Sequence, residues 1–278
     1  MRYYEIKAHP YRFHAIVQKP KEGRVWRVQI GGHQTCVIFN VEEDDEELIA
    51  YMEGLTFYPE CSVDKAAPLV RGIGTTRLLK ASITFLYQLL PTIKVIYFQD
   101  TSRITCHIEN SIDNTIQLHI YYISKKGKTW YEETLGARLD DELMTVYEQQ
   151  KGAALGVYRE ARGFAEFRKR YMRSVLDVFP PEIMDIVQRA YEGHTTYRAM
   201  FSELARDYDC SIMFGWLERY FRKTTPILFH EVQWNVNRNG FDMANIEVKR
   251  IREAPAMKPL PQWGGKKPRV IINIERRR

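Results

Sequence analysis

Residues Val70–Asp100, with the sequence VRGIGTTRLLKASITFLYQLLPTIKVIYFQD, decide the fold, because three structural signals follow one another there. A glycine-containing turn at 71–76 leads into apolar residues at helical spacing, and Pro91 ends that run. Residues 93–98 are β-branched and aromatic, which is typical of a buried strand. A further strand at 54–58 is predicted to precede the turn. The stretch therefore predicts a strand–turn–helix–strand unit within an α+β fold.

The turn itself, Arg71-Gly72-Ile73-Gly74-Thr75-Thr76, has two interpretations. A strand, a glycine loop and a helix N-terminus together present backbone N–H groups that can bind an anion. An isolated Gly-x-Gly is equally typical of a tight turn at which a helix packs closely on a sheet. A Walker-type phosphate loop is excluded because no Gly-Lys-Ser/Thr follows. The dinucleotide-binding pattern fits poorly because its third glycine is missing.

The segments before this unit extend the α+β interpretation. Residues 24–30 and 35–41 are predicted to form a hairpin around Gly31-Gly32. Residues 1–23 are expected to form either a short strand near 13–17 or an arm on the surface.

After Leu139 the apolar residues recur mainly at helical spacing. A break in the helices is expected near 152–156, and Pro180-Pro181 is predicted to end one helix and begin the next. A strand is expected within 225–236. No recognisable catalytic motif occurs in this half of the sequence, so it is interpreted as a helical appendage.

A second segment, Trp130-Tyr131-Glu132-Glu133-Thr134-Leu135-Gly136, gives the glycine turn a more specific context. The order of glycine loop, helix, strand and a helix ending in Tyr-Glu-x-x-x-Gly resembles the GCN5-related N-acetyltransferase family. That family holds the pyrophosphate of acetyl-CoA with an Arg/Gln-x-x-Gly-x-Gly/Ala loop, and Arg71, Gly74 and Thr76 occupy the matching positions. Thr76 departs from the family pattern of glycine or alanine. The resemblance covers about half of the chain and implies a mixed sheet flanked by helices.

The resemblance implies roles for individual residues. In an acyltransferase, the turn residues Arg71 to Thr76 would bind acetyl-CoA, and Tyr131 would protonate the departing thiolate. In the competing interpretation, Trp130 and Tyr131 pack the last helix of the domain on the sheet. The Thr76 departure favours a degenerate, inactive site, for which no cofactor is expected.

The run Lys-Thr-Trp-Tyr-Glu at 128–132 also resembles uncharacterised proteins of large eukaryotic (nucleocytoplasmic) DNA viruses. This second resemblance implies a structural protein, such as a minor capsid or other virion-associated protein. Its partners would be other capsid or virion proteins. The expected location is the virion, and the host cytoplasm during assembly.

The positive charge of the chain is concentrated at its C-terminal end. The formal net charge is +6, yet Lys249–Arg278 contains ten Lys or Arg against two Glu, so the rest of the chain is slightly acidic. Four prolines and Gly264-Gly265 predict an extended tail that binds neighbouring subunits or, alternatively, nucleic acid. The candidate partner-binding residues are Lys266, Lys267, Arg269, Arg276, Arg277 and Arg278.

Composition limits the remaining classes of function. Four cysteines without Cys-x-x-Cys spacing predict reduced, partly buried thiols in an intracellular protein, and no metal site is predicted. No run approaches the roughly 20 apolar residues that cross a bilayer, so no membrane span is expected. The sequence is divided into an α/β domain at 1–138 that resembles the GCN5-related N-acetyltransferase (GNAT) family, a helical region at 139–248 and the basic tail at 249–278.

Overall fold

A computed structural model describes residues 1–19, 25–44, 47–70, 72–100, 102–106, 115–173, 179–208, 210–229 and 233–259. The chain forms two compact units that alternate along the sequence. Unit 1 comprises Met1–Asp100, Thr134–Arg138 and Gln233–Arg278, and unit 2 comprises Thr101–Glu133 and Leu139–Val232. Unit 2 is thus inserted into unit 1, whereas the sequence-based division placed its borders after residues 138 and 248.

Unit 1 contains a large mixed sheet. Among the described residues, eight strands join in the order β10-β1-β2-β3-β4-β5-β6-β9, and every neighbouring pair is antiparallel except β5 and β6. The α+β class is therefore confirmed. The strands are β1 Arg2–Ala8, β2 Tyr11–Gln18, β3 Val25–Gly31, β4 Thr35–Asp44, β5 Glu47–Leu55, β6 Val95–Phe98, β9 Trp234–Asn237 and β10 Glu247–Ile251.

The predicted helix and the strand after it are present, but the strand expected at 54–58 lies earlier, because β5 ends at Leu55. Helix α1 spans Ile73–Leu89, and the chain then continues into β6, which lies parallel to β5. Every residue from 81 to 87 is buried, as expected of a helix that is apolar on nearly all sides. The aromatic rings of Tyr4 on β1 and Phe85 lie 5.3 Å apart, so the helix packs against the N-terminal strand.

The N-terminal segment contributes more to the sheet than expected. It forms a complete hairpin, β1–β2, in place of one short strand or a surface arm. In β2 the side chains of Tyr11, Phe13, Ala15 and Val17 are buried while the residues between them are not, which is the alternation of a strand with one face on the core. Arg12 and His14 at intervening positions interrupt the apolar residues, so no continuous apolar run marks the strand.

The predicted Gly31-Gly32 turn is present between β3 and β4. A Cβ on Gly32 would lie 2.2 Å from the Ser62 carbonyl oxygen, so only glycine fits against that backbone. The N–H of His33 donates to the Glu60 carbonyl at 2.8 Å, which fixes the turn on the 59–62 segment. A disulfide between Cys36 and Cys61 joins the same two segments.

The C-terminal part of unit 1 closes the sheet at both edges. Strand β9 pairs with β6 at one edge and β10 pairs with β1 at the other, so residues 238–246 must cross the whole sheet. We call this segment the strap. It lies along α1, where Lys80 forms an ion pair with Asp242 at 2.9 Å and Thr84 Oγ1 accepts the N–H of Ala244 at 2.9 Å.

The described beginning of the predicted tail lies on its own chain. Residues 249–251 belong to β10, and Lys258 exchanges two backbone hydrogen bonds with His33 and Thr35, each of 2.9 Å. Residues 260–278, which include all six candidate partner-binding residues, lie outside the described part of the chain.

Unit 2 is predominantly helical. Along the chain, a small two-stranded hairpin comes first and the described helices come after it. The helices surround a core of aromatic rings in which Phe167, Tyr197, Phe201, Trp216 and Tyr220 are fully buried. The predicted break after residue 152 is present, because α4 ends at Leu155. The elements are β7 Arg103–Thr105, β8 Thr115–Gln117, α2 Leu118–Lys126, α3 Trp130–Leu135 (which continues into unit 1), α4 Asp141–Leu155, α5 Gly163–Phe167, α6 Pro181–Glu192, α7 Tyr197–Asp207 and α8 Leu217–Thr224.

The expectation of reduced cysteines was wrong. Cys106 and Cys210 form a second disulfide, within unit 2, in addition to the bond between Cys36 and Cys61. The cysteines of the two pairs are 25 and 104 residues apart, so no local spacing in the sequence indicates either disulfide. The strand expected within 225–236 is also shorter than expected, since Pro226–Phe229 is a 3₁₀ turn and, among the described residues of this range, β9 alone is a strand.

Candidate functional site

The glycine turn leaves the first residues of α1 open on one side. Gly72 precedes the helix with a φ of 77°, a left-handed conformation that glycine adopts without strain. No described atom lies within 4 Å of the position that a Cβ on Gly72 would take, and Ile73 is 70% exposed. Arg71 lies outside the described residues. The start of α1 is therefore accessible at Gly72 and Ile73.

The next residues of the turn are used internally. The N–H of Gly74 donates to the Val70 carbonyl at 2.8 Å, and the N–H of Thr76 donates to the Gly72 carbonyl at 2.9 Å. Gly74 and Thr75 are buried, and a Cβ on Gly74 would lie 3.0 Å from Leu69 Cγ. Gly74 thus permits close packing of α1, which is the second of the two interpretations that the sequence allowed.

The candidate acid Tyr131 is a core residue of unit 2. It is 1% exposed, and its hydroxyl lies 2.9 Å from Ser102 Oγ. Its ring meets that of Trp130 edge to face, with the centroids 4.9 Å apart. The glycine turn belongs to unit 1, so the two parts of the sequence-predicted site lie in different units.

The glutamate that follows Tyr131 organises the start of α3. The N–H of Thr129 donates to Glu132 Oε2 at 2.6 Å, and the N–H of Glu132 donates to Thr129 Oγ1 at 3.0 Å. These reciprocal bonds form a capping box, which satisfies two N–H groups at a helix start. The segment that resembles the acyltransferase motif is therefore a helix cap with buried aromatic neighbours.

Glu132 also anchors helix α4. The Tyr147 hydroxyl donates to Glu132 Oε2 at 2.8 Å, and Lys151 Nζ lies 3.4 Å from Glu132 Oε1 and 2.6 Å from Glu148 Oε1. Burial, and secondly the Glu132 carboxylate, raise the pKa of Tyr147 well above its ordinary value, so its hydroxyl stays a neutral donor. Lys151 is only 7% exposed and depends on the two carboxylates for compensation.

A second buried carboxylate, Glu160, lies among tyrosines. It accepts hydrogen bonds from the hydroxyls of Tyr191, at 3.1 Å, and Tyr197. The Tyr158 ring stacks on Tyr191 with the centroids 4.1 Å apart. Burial and the Glu160 charge raise the pKa of Tyr191 above its ordinary value. Glu160 therefore links the segment after α4 to helices α6 and α7.

A strongly charged concave surface lies on the outside of this aromatic core. A cavity of about 660 Å³ is bordered by α5, by the turn that follows it and by α8. We call it the basic groove. Its cationic lining residues are Arg162, Lys169, Arg170, Arg173, Arg219 and Lys223, and Ala165 and Glu166 complete the lining.

The walls of the basic groove are amphipathic. On α8, Tyr220 and Phe221 are fully buried, whereas Arg219 and Lys223 face the groove. Residues Arg168–Met172 form a π-helical turn, a rare conformation that is frequent at functional sites. Tyr171 in that turn is buried against Tyr220 at 4.8 Å between ring centroids. The cations are thus carried by elements that the core holds in place.

Sequence reasoning missed the basic groove. The local signal is present, because residues 159–173 contain six Lys or Arg and two Glu. The net charge of residues 1–248 does not reveal this cluster, because acidic residues elsewhere in that range cancel its positive charge. The contribution of α8 comes from residues about 50 positions later in the chain.

Searches of the described residues for two other kinds of site were negative. No group of three or more His, Cys, Asp or Glu side chains in this part of the chain is arranged to hold a metal ion. None of its helices combines the length and the apolar character needed to cross a membrane.

Comparison of the chain with protein-family models, with curated proteins and with solved structures found no match. Function is therefore inferred from the chain's own residues and their geometry.

Proposed function

We propose that the chain is a structural interaction protein of a large DNA virus particle, such as a minor capsid or virion-associated protein. The observation that favours a structural over a catalytic role is the use of the 129–132 segment in packing, and the virion location rests on the resemblance of residues 128–132 to viral proteins. Tyr131 is 1% exposed, and Glu132 is engaged by Thr129, Tyr147 and Lys151. A general acid needs access to its substrate, and these side chains instead join α3 to α4.

The tail beyond Pro259 is the part proposed to bind neighbouring subunits. The residues just before it are already fixed. Strand β10 pairs with β1, and Lys258 forms backbone hydrogen bonds beside the Gly31-Gly32 turn. Deleting residues 260–278 would therefore remove Lys266, Lys267 and the four tail arginines without disturbing a described contact. In this proposal the body is the scaffold and the basic segment is the connector.

We expect the 260–278 deletion to abolish incorporation of the chain into virus particles while changing its melting temperature by less than about 2 °C. Incorporation is measured by immunoblot of particles purified from infected cells that express the tagged chain. A variant with all six tail cations replaced by glutamine tests whether charge alone is responsible. Absence of the intact chain from purified particles would contradict the proposal, as would equal incorporation of the deletion variant.

An acetyl-CoA-dependent N-acyltransferase is the second candidate. Its support is the parallel β5–α1–β6 unit with an accessible helix start at Gly72 and Ile73, where backbone N–H groups and the helix dipole favour an anion. In this candidate the turn would hold the pyrophosphate of acetyl-CoA.

Calorimetry with acetyl-CoA separates the two candidates. The structural proposal predicts no heat of binding at micromolar concentrations. The acyltransferase predicts binding that Ile73→Glu reduces at least about tenfold, because a carboxylate at the helix start repels pyrophosphate. Ile73→Gln is the matched control, since it has the same size without the charge. Binding that survives in the glutamine variant and is lost in the glutamate variant would overturn the purely structural proposal.

A further inference from the structure

The basic groove of unit 2 has an excess of positive charge that the described residues do not balance. Six cations line it, against the single carboxylate of Glu166. The ion pair recorded among these lining residues is Arg170 with Glu166, at 3.8 Å. Arg162, Lys169, Arg173 and Arg219 have no ion-pair partner within the described part of the chain. Like charges held close together destabilise a folded chain unless an anion joins them.

Two of the cations, Arg170 and Lys223, have contacts that position them before any ligand arrives. Lys223 Nζ donates to the Arg170 carbonyl at 3.3 Å, which connects α8 to the π-helical turn across the groove. The Tyr171 ring lies beneath both cations, with its centroid 6.0 Å from Arg170 Cζ and 5.7 Å from Lys223 Nζ. Because side chains that are already positioned lose less conformational entropy on binding, this arrangement favours affinity for an anion.

Size and lining indicate the class of anion. A cavity of about 660 Å³ lies within the range of small-molecule sites, and it is smaller than the track that a long nucleic acid strand follows. The described residues of its lining include no aromatic side chain on which a base could stack. Four of the six cations are arginines, whose planar guanidinium groups bind phosphate through paired hydrogen bonds.

We propose that the basic groove is a binding site for a compact polyanion that carries several phosphate groups. Arg162, Lys169, Arg170 and Arg173 bind it from one wall, and Arg219 and Lys223 bind it from the other. The ligand neutralises the excess charge and joins α8 to the π-helical turn. The site uses none of the residues of the tail or of the glycine turn, so it stands whether or not the proposed virion role is correct.

Calorimetry with inorganic tripolyphosphate at 0.15 M salt tests the proposal on the full chain. The double variant Arg173→Gln/Arg219→Gln removes one cation from each wall of the groove. Its affinity for tripolyphosphate should fall at least about tenfold, because each charged hydrogen bond contributes appreciably to binding. The double variant Arg189→Gln/Arg206→Gln is the matched control, since it removes the same charge from exposed positions on α6 and α7. Its affinity should remain within about twofold of the parent chain.

A second readout separates binding from folding. Without ligand, the groove variant should melt at the same temperature as the parent chain or slightly higher, because repulsion between cations is relieved. Tripolyphosphate should raise the melting temperature of the parent and control chains and leave that of the groove variant unchanged. Equal tripolyphosphate affinity in the groove and control variants would overturn the proposal. Tighter binding of a 20-nucleotide single strand, lost in the groove variant, would also overturn it and assign the groove to nucleic acid.

Discussion

Replacing Cys106 and Cys210 by serine is expected to lower the free energy of unfolding of unit 2 by about 4.7 kcal/mol. The disulfide joins residues that are 104 positions apart, and a cross-link over a loop of that length removes much conformational entropy from the unfolded chain. Both cysteines are buried, at 3% and 6% exposure. The bond therefore also fixes Cys106, just after β7, to Cys210, in the segment before α8. Urea unfolding followed by circular dichroism measures the loss.

The disulfide of unit 1 provides the matched comparison. Cys36 and Cys61 are separated by 25 residues, for which the same entropic relation gives about 3.5 kcal/mol. The Cys36→Ser/Cys61→Ser variant should therefore lose less stability, and hydrogen exchange should place its loss in unit 1. If the Cys106→Ser/Cys210→Ser variant unfolds at the same urea concentration as the parent chain, the long-range bond contributes nothing and the expectation fails.

Glu132→Ala is expected to lower the free energy of unfolding by about 3 kcal/mol. The change removes half of the capping box at α3, which contributes about 1 kcal/mol. It also removes the hydrogen bond that the Tyr147 hydroxyl donates to Glu132, and one of the two carboxylates, Glu132 and Glu148, that lie beside the buried Lys151 ammonium. Buried donors and charges that lose a partner account for the rest of the expected loss.

The neighbouring residue supplies the control for this experiment. Glu133 pairs with Lys126 at 2.7 Å, and both side chains are 44% exposed, so Glu133→Gln should cost less than about 0.5 kcal/mol. Glu132→Gln should fall between the two, because its amide oxygen can still accept one of the hydrogen bonds. Equal unfolding midpoints for Glu132→Ala and Glu133→Gln would show that the network around Glu132 does not stabilise the fold.

The parts of the fold that the sequence predicts are those with local signals. Helix α1 has apolar periodicity and a proline stop, and the β3–β4 hairpin has two glycines at its turn. Strand β10 has neither kind of signal. All its residues except Ile251 are exposed, and it is a strand because the β1 edge accepts it. Pairing of this kind depends on residues more than 240 positions away and is invisible to any local window.

The candidate site shows why one motif supports two interpretations. Thr129-x-x-Glu132 belongs to a segment that resembles an acyltransferase motif, and it also fits the Ser/Thr-x-x-Glu signature of a capping box. In the structure these two residues exchange the reciprocal hydrogen bonds of a capping box. The basic groove needed a different kind of information, because it forms only where α5 and α8 come together.

The strap has a consequence for the biosynthesis of the chain. The two strands that it connects, β9 and β10, complete the sheet, yet residues 234–251 are made only after all of unit 2. A ribosome that adds roughly 5–20 residues per second needs roughly 8–30 s to proceed from Asp100 to Ile251. During that interval β1 and β6 present unpaired backbone groups, which are templates for pairing with another chain. The nascent protein thus passes through a period in which both edges of its sheet are open to pairing with another chain.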